Sequence, residues 1–210
     1  MGALLHIQAS PRGDRSASTR VARAFLARYG QAHPDDMIET LDLFSAEIPE
    51  FEAPEAAAKY GVMAGQEPRD EAARAWKRVI RVIDHFKAAD KIVVAVPMWN
   101  FSIPYQLKRY IDVIVQPGLT FTYSPAEGYR GLVTGRPAML ILARGGEYPA
   151  GSETAAYDMQ RPYLELILRF IGFERINTIL VEPTLMQGPE VAERKVEEAI
   201  ARAEAAAEAF

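Results

Sequence analysis

Five short apolar runs punctuate the chain, and amphipathic stretches separate them. Leu4–Ile7, Lys91–Val96, Ala138–Ala143 and Thr178–Val181 stand out, and Met37–Leu41 is weaker. Ile92-Val93-Val94-Ala95-Val96 and Ala138-Met139-Leu140-Ile141-Leu142 are apolar without alternation. A strand with one wet face would alternate. An unbroken run of this length marks a strand buried on both faces, as in a parallel sheet covered by helices. Helical spacing fills the gaps. Thr19–Tyr29 sets Val21, Ala22, Phe25 and Leu26 on one stripe, and Asp70–Ala88 sets Trp76, Val79, Ile83 and Phe86 opposite its basic residues. Ile103–Val115, Tyr157–Ile171 and Pro189–Ala209 predict three further helices. The last opens on Gly188-Pro189-Glu190, with a proline in the first turn and an acid where the helix dipole favours it.

This alternation predicts an α/β fold: a doubly wound, five-stranded parallel sheet with helices on both faces, in one domain over residues 1–210. Pro49–Pro68 resists the pattern. It is too long for an ordinary connection and reads as an irregular lid or interface segment.

Composition narrows the function. A formal net charge of -4 leaves no basic footprint, so nucleic acid is not an expected partner. The chain has no cysteine, which excludes disulfides, thiolate metal sites and thiol nucleophiles and fits a reducing cytosol. No run approaches the ~20 apolar residues that span a bilayer, so no membrane partner is expected. The N-terminus reads as a first strand rather than a leader, which places the protein in the cytoplasm.

In an open α/β sheet, ligands bind beyond the carboxyl ends of the strands. Three such segments carry chemistry. Ala9 to Thr19 offers hydroxyls at Ser10, Ser16, Ser18 and Thr19 at a helix start, where unpaired N–H groups suit a phosphate. A plain serine cap would need only one of them. The loop is neither G-x-G-x-x-G nor a Walker A loop. Pro97-Met98-Trp99-Asn100-Phe101-Ser102-Ile103-Pro104 sets two aromatics and an amide between prolines, which suits a flat heteroaromatic ring. Ala143-Arg144-Gly145-Gly146-Glu147 offers paired glycines that let backbone N–H groups come close to a ligand, though it also reads as a plain tight turn.

Other constellations fail. His6, His33 and His85 are scattered without metal-ligand spacing, so no metal is expected, and His6 in a strand reads as a satisfied imidazole rather than a base. No G-x-S-x-G elbow is present. A ligand pocket without an acid–base pair fits a cofactor that carries the chemistry itself, so no catalytic side chain is assigned.

At these three loops the chain resembles the flavodoxin-like FMN-dependent NADH azoreductase and quinone oxidoreductase family. The residues that carry the likeness are Ser10 with Ser16-Ala17-Ser18, then Pro97-Met98-Trp99-Asn100-Phe101, then Arg144-Gly145-Gly146. Ile103 to Asp112, Gly118 to Tyr123 and Gly131 to Gly135 support it in order and spacing. The chain departs from the family at Ala17, where a longer polar residue is frequent, at Trp99 for tyrosine, and at Ala143 for serine.

The resemblance implies that Ser10, Ser16, Ala17 and Ser18 hold the FMN phosphate. Pro97, Met98, Trp99, Asn100 and Phe101 would line the isoalloxazine, and Ala143, Arg144, Gly145 and Gly146 would hold its polar edge. It further implies that Tyr123 and Phe170 face the flavin of a partner in a homodimer. NADH or NADPH would reduce the flavin and a quinone or azo compound would reoxidise it, in two-electron ping-pong fashion. Arg12, Arg15 and Arg144 are candidates for a 2′-phosphate, against the plainer reading as surface charge. The rival reading is a flavodoxin-type single-electron carrier without NAD(P)H turnover.

Overall fold

The two continuous apolar runs sit at the centre of the sheet, and their odd and even positions serve two different cores. In the computed structural model, which describes all 210 residues, the strands are β1 (Ala3–Gln8), β2 (Met37–Asp42), β3 (Lys91–Pro97), β6 (Pro137–Ala143) and β7 (Arg175–Val181). They pair in the order β2-β1-β3-β6-β7, all parallel. Ile92, Val94 and Val96 of β3, with Leu140 and Leu142 of β6, face one layer of helices. Val93, Ala95, Met139 and Ile141 face the other. Burial on both faces removes any reason to alternate, so the expected doubly wound parallel sheet is what forms.

Helices α1 (Ala17–Ala32) and α6 (Pro189–Glu208) cover the second face. Ala199, Ala203 and Ala207 recur every fourth residue along α6 and are fully buried, which lets it lie close to α1. Helices α3 (Asp70–Ala88), α4 (Tyr105–Ile114) and α5 (Arg161–Ile171) cover the first face. Two helices start later than the periodicity suggested. Pro104 caps α4, so Ile103 lies outside it. Residues Glu153–Tyr157 form a 3-10 turn, and α5 begins only at Arg161, where the Asp158 carboxylate accepts the N–H groups of Gln160 and Arg161.

Two elements depart from the expectation more deeply. Within Pro49–Pro68 lies a regular helix, α2 (Ala53–Met63), so that segment is not irregular throughout. Its signal was local: Glu52 and Glu55 form a reciprocal capping box, and Glu55, buried, pairs with Arg78 at 3.0 Å. The other element is an antiparallel hairpin, β4 (Phe121–Ser124) and β5 (Gly128–Gly131), outside the main sheet. Its strands are four residues long, and neither buries a full face. No helix is long and apolar enough to cross a membrane.

Candidate functional site

The strand order reverses between β1 and β3, so the loops leaving their carboxyl ends diverge and open a crevice. Ser10, Ser16 and the first turn of α1 line it on one side, Pro97, Met98 and Trp99 on another, and Ala143 and Gly145 on a third, around a cavity of about 450 Å³. Thus members of all three segments singled out in the sequence meet in a single cleft.

The hydroxyl cluster is buried to a degree that turn-making does not require. Ser10, Ser16, Ser18 and Thr19 are exposed by 1%, 3%, 0% and 0%. Ser16 caps α1, accepting the Thr19 N–H at 3.4 Å, and its oxygen lies 3.1 Å from that of Ser18. Ser10 accepts the Arg12 N–H at 3.4 Å. The Thr19 hydroxyl has no partner. Ala17 and Ser18 occupy the first turn, whose N–H groups have no preceding turn to bond. Buried hydroxyls at the positive end of a helix dipole form an anion cradle. Arg12, Arg15 and Arg20 line the same cleft, and Arg20 is taken up by Glu193 at 2.8 Å.

The second segment is a tight reversal. Trp99 and Ser102 exchange backbone hydrogen bonds of 3.0 and 2.9 Å, and the two residues between them, Asn100 and Phe101, have φ of 47° and 69°. This is the type I′ geometry that ordinarily takes Asn-Gly. Phenylalanine in the left-handed region costs about 1 kcal/mol, and such strain concentrates at ligand-binding turns. The Phe101 ring lies 5.2 Å from that of Tyr157, and the Phe101 carbonyl accepts the Met159 N–H at 3.0 Å. Trp99 packs with Phe44 and Tyr105, centroids 5.9 and 6.1 Å away. Asn100 and Phe101 are exposed and stand beside the cleft rather than within its walls.

In the third segment Gly145 lines the cleft, while Gly146 lies under Met186, whose sulfur a Cβ would strike. Arg144 corrects an expectation. Its side chain is 1% exposed and bonds Gln160, Glu182 and Asp158, so it neither lines the cleft nor sits free to meet a phosphate. Burial pushes the Glu182 carboxyl above its ordinary range, more than Arg144 beside it draws it down. Only the Arg144 backbone belongs to the loop that borders the cleft. His6 corrects another. It is buried on β1, its Nδ1 meets the Thr40 hydroxyl at 3.2 Å, and its Nε2 has no partner, so the imidazole is half satisfied.

Tyr123 and Phe170 lie elsewhere. They line a second cleft of about 740 Å³, between the end of α2, the β4–β5 hairpin and α5, with Phe121 and Tyr129 as neighbours. None of its lining residues is shared with the hydroxyl cradle. The residues that sequence reasoning missed are Phe44, Tyr105, Tyr129, Asp158, Gln160 and Glu182. Tyr105 opens α4, Tyr129 lies in a four-residue strand and the other four lie in connections, where no periodicity points to them. The glycines bounding the 128–131 strand and the acid before α5 were the available signals.

The cradle suits a phosphomonoester, through Ser10 and Ser16, which line the cleft, and the first-turn N–H groups. The Trp99–Phe101 turn and the glycine turn beside it suit a flat ring with one polar edge. FMN has that shape. A parallel sheet in this order, with an anion cradle at its switch point, defines a flavodoxin-like mononucleotide-binding protein.

Comparison with known proteins agrees. The family model for the flavodoxin-like fold matches residues 3–207. The FMN-dependent NADH:quinone oxidoreductase of Nitratidesulfovibrio vulgaris strain DP4 is 50% identical over 207 residues, covering 97% of each chain. FMN-dependent NADH:quinone oxidoreductase 3 of Pseudomonas fluorescens is 39% identical over 99% of this chain and 97% of its own. Among solved structures, an azoreductase from Bacillus anthracis strain Sterne superposes with a TM-score of 0.91 at 31% identity, over 100% of both chains. An FMN-dependent NADH-azoreductase of the Ames Ancestor strain, in complex with FMN, gives 0.85 at 29%, over 99% of this chain and 100% of its own. The chain belongs to the family of FMN-dependent NADH:quinone oxidoreductases within the flavodoxin-like fold.

Proposed function

We propose that this chain is an FMN-dependent oxidoreductase, one FMN-binding domain over residues 1–210, that carries two electrons from NADH or NADPH to quinones and azo compounds in alternating half-reactions. The observation that carries the reading is the meeting of Ser10 and Ser16, from a buried hydroxyl cluster, with a strained aromatic turn and a glycine turn at the β1/β3 switch point. FMN held there would supply the redox chemistry, a two-electron transfer between nicotinamide and acceptor. The protein supplies everything around it. Ser10, Ser16 and Ser18, with the Ala17 N–H, hold the phosphate. Pro97 to Phe101 set the plane of the ring. Ala143, Gly145 and Gly146 present the ring edge with backbone N–H groups that steady negative charge there. The residues that the second and third loops bring to the cleft, Pro97, Met98, Trp99, Ala143 and Gly145, carry no ionisable side chain, which supports a role in orientation rather than proton transfer.

A homodimer is part of the proposal. Tyr123 and Phe170 stand in a cleft that shares no residue with the cradle, so on this reading they cover the flavin of a second copy. The nicotinamide donor is a cytoplasmic metabolite, which supports a cytoplasmic location. The test is the visible spectrum after FMN is added to purified protein, followed by NADH under anaerobic conditions. Flavin absorbance that co-elutes and bleaches in one two-electron step is the expected result. Bleaching through a long-lived one-electron form would point instead to a single-electron carrier, and failure to bind FMN would overturn the reading altogether.

A further inference from the structure

The geometry points to Arg144 as a positioning residue: its buried guanidinium ties the ends of β3, β6 and β7 to the segment before α5, and so sets where the Gly145 and Gly146 N–H groups stand. What those N–H groups contact rests on the flavin reading above. The brace itself is a property of the chain without ligand.

Every nitrogen of the guanidinium is engaged. Nε donates to Gln160 Oε1 at 3.2 Å, and the Gln160 amide in turn donates to the Val96 carbonyl at the end of β3, at 3.3 Å. One terminal nitrogen donates to Glu182, directly after β7, at 3.3 Å. The other donates to Asp158 at 2.8 Å, and the second oxygen of that carboxylate accepts the N–H groups of Gln160 and Arg161 at the start of α5. The main chain of the same residue adds to this. Its N–H donates to Val181 at 3.0 Å, and its carbonyl accepts both the N–H and the hydroxyl of Thr184 at 2.8 and 2.9 Å.

One residue therefore ties together four segments, and the ends of β3, β6 and β7 among them lead into loops that line the cleft. The next two residues along the chain are the glycines. The Gly145 carbonyl accepts the N–H groups of Leu185 and Met186 at 3.2 and 2.9 Å, so the orientation set at Arg144 is handed on to the glycine turn. A guanidinium is suited to this because it presents a planar fork of donors to several acceptors at once. Lysine keeps the charge but offers a single ammonium and cannot reproduce the fork. A direct ligand contact is the competing role for this arginine. Its 1% exposure and its three engaged nitrogens oppose that role.

The test compares Arg144→Lys, Asp158→Asn and the double variant with the wild-type protein. FMN binding is read by fluorescence quenching, and backbone amide exchange over residues 144–160 is read on the apoprotein. Steady-state turnover is measured with both NADH and NADPH. Each single variant is expected to speed exchange at Gly145 and Gly146 and to weaken FMN about tenfold or more. Turnover with the two donors should fall by the same factor. The double variant should be no worse than the worse single one, as for groups acting as a unit. Asp158→Asn leaves the arginine in place, so its effect is not that of a lost ligand contact, and it carries the test if Arg144→Lys does not fold. Unchanged exchange in the folded variants would overturn the proposal. So would a loss confined to NADPH in Arg144→Lys with Asp158→Asn normal, which would make the arginine a phosphate contact. Failure of the wild-type protein to bind FMN would sink the flavin reading alone, because amide exchange still decides the brace.

Discussion

The two clefts are built by opposite means. The cradle at the β1/β3 switch point is lined by loops that leave adjacent strands of one sheet, and its chemistry comes from hydroxyls and backbone N–H groups held by a helix start. The second cleft is aromatic. It is assembled from the end of α2, a two-stranded hairpin and α5, which are distant in sequence. Its frame depends on one close approach. Gly131, at the end of β5, lies directly against the backbone of Ile171 and Gly172 at the end of α5, and Val133 donates its N–H to the Ile171 carbonyl at 2.8 Å. The first cleft rests on the most buried strands of the molecule. The second rests on a glycine pair.

That contrast is broken most forcefully at Gly131. A Cβ there would occupy the place of the Ile171–Gly172 backbone, which has no flexible side chain to yield. Gly131→Ala is expected to cost about 3 kcal/mol in urea unfolding. It should displace Tyr129, and with it the aromatic cleft, while the hydroxyl cradle keeps its geometry. If Gly131→Ala left the unfolding midpoint unchanged, the hairpin would not be anchored as described.

Acid should act on the core beneath the other cleft. His6 lies on β1 in the face covered by α1, beneath the helix whose start forms the cradle. Burial, helped by Arg23, holds its pKa down at about 4 against 6.5 for a free imidazole, and Asp42 opposes the shift. Between those values the unfolded chain binds a proton and the folded chain does not. The contribution is therefore complete above pH 6.5 and is lost as pH falls towards 4, by about 3 kcal/mol in all. His6→Leu should remove that part of the pH dependence. A stability–pH curve equally steep in His6→Leu would assign the slope to other groups.

The difference between the clefts also decides what could be read from sequence. Ile92–Val96 and Ala138–Leu142 announce a buried parallel sheet, and in such a sheet the residues after each strand are site candidates by position alone. Ser10, Ser16, Met98, Trp99 and Gly145 were found that way, and they do line one cleft. Phe121, Tyr129 and the residues of α2 have no such address. Their strands are four residues long and half-wet, and α2 has a weak apolar stripe. Arg144 shows a different limit. Its place in the motif was visible, but the direction of its side chain depends on Asp158 and Glu182, 14 and 38 residues away, which no local pattern connects to it.

A smaller effect sharpens the reading of the cradle. Ser16 both caps α1 and meets Ser18. Ser16→Ala should lower stability by about 1 kcal/mol through the lost cap. It should also weaken FMN about tenfold through a lost charge-assisted bond. Riboflavin, which has the same ring and no phosphate, should bind the variant and the wild type alike. Parallel losses for FMN and riboflavin would move the phosphate away from Ser16.

The smallest effect isolates strain from contact at the Trp99–Ser102 turn. Phe101→Ala removes the ring that packs on Tyr157 but leaves a side chain at φ 69°, whereas Phe101→Gly removes both ring and strain. In regular structure glycine is the less stable of the two. Here it should be the more stable, by about 1 kcal/mol, because only glycine adopts the left-handed region without cost. Both variants lose the same ring, so both should weaken FMN by the same factor. Thermal unfolding of the pair measures the strain and flavin titration measures the ring. If Phe101→Gly were instead less stable than Phe101→Ala, the turn would not be held in the conformation that makes it a ligand platform, and its aromatic pair would be ordinary surface packing.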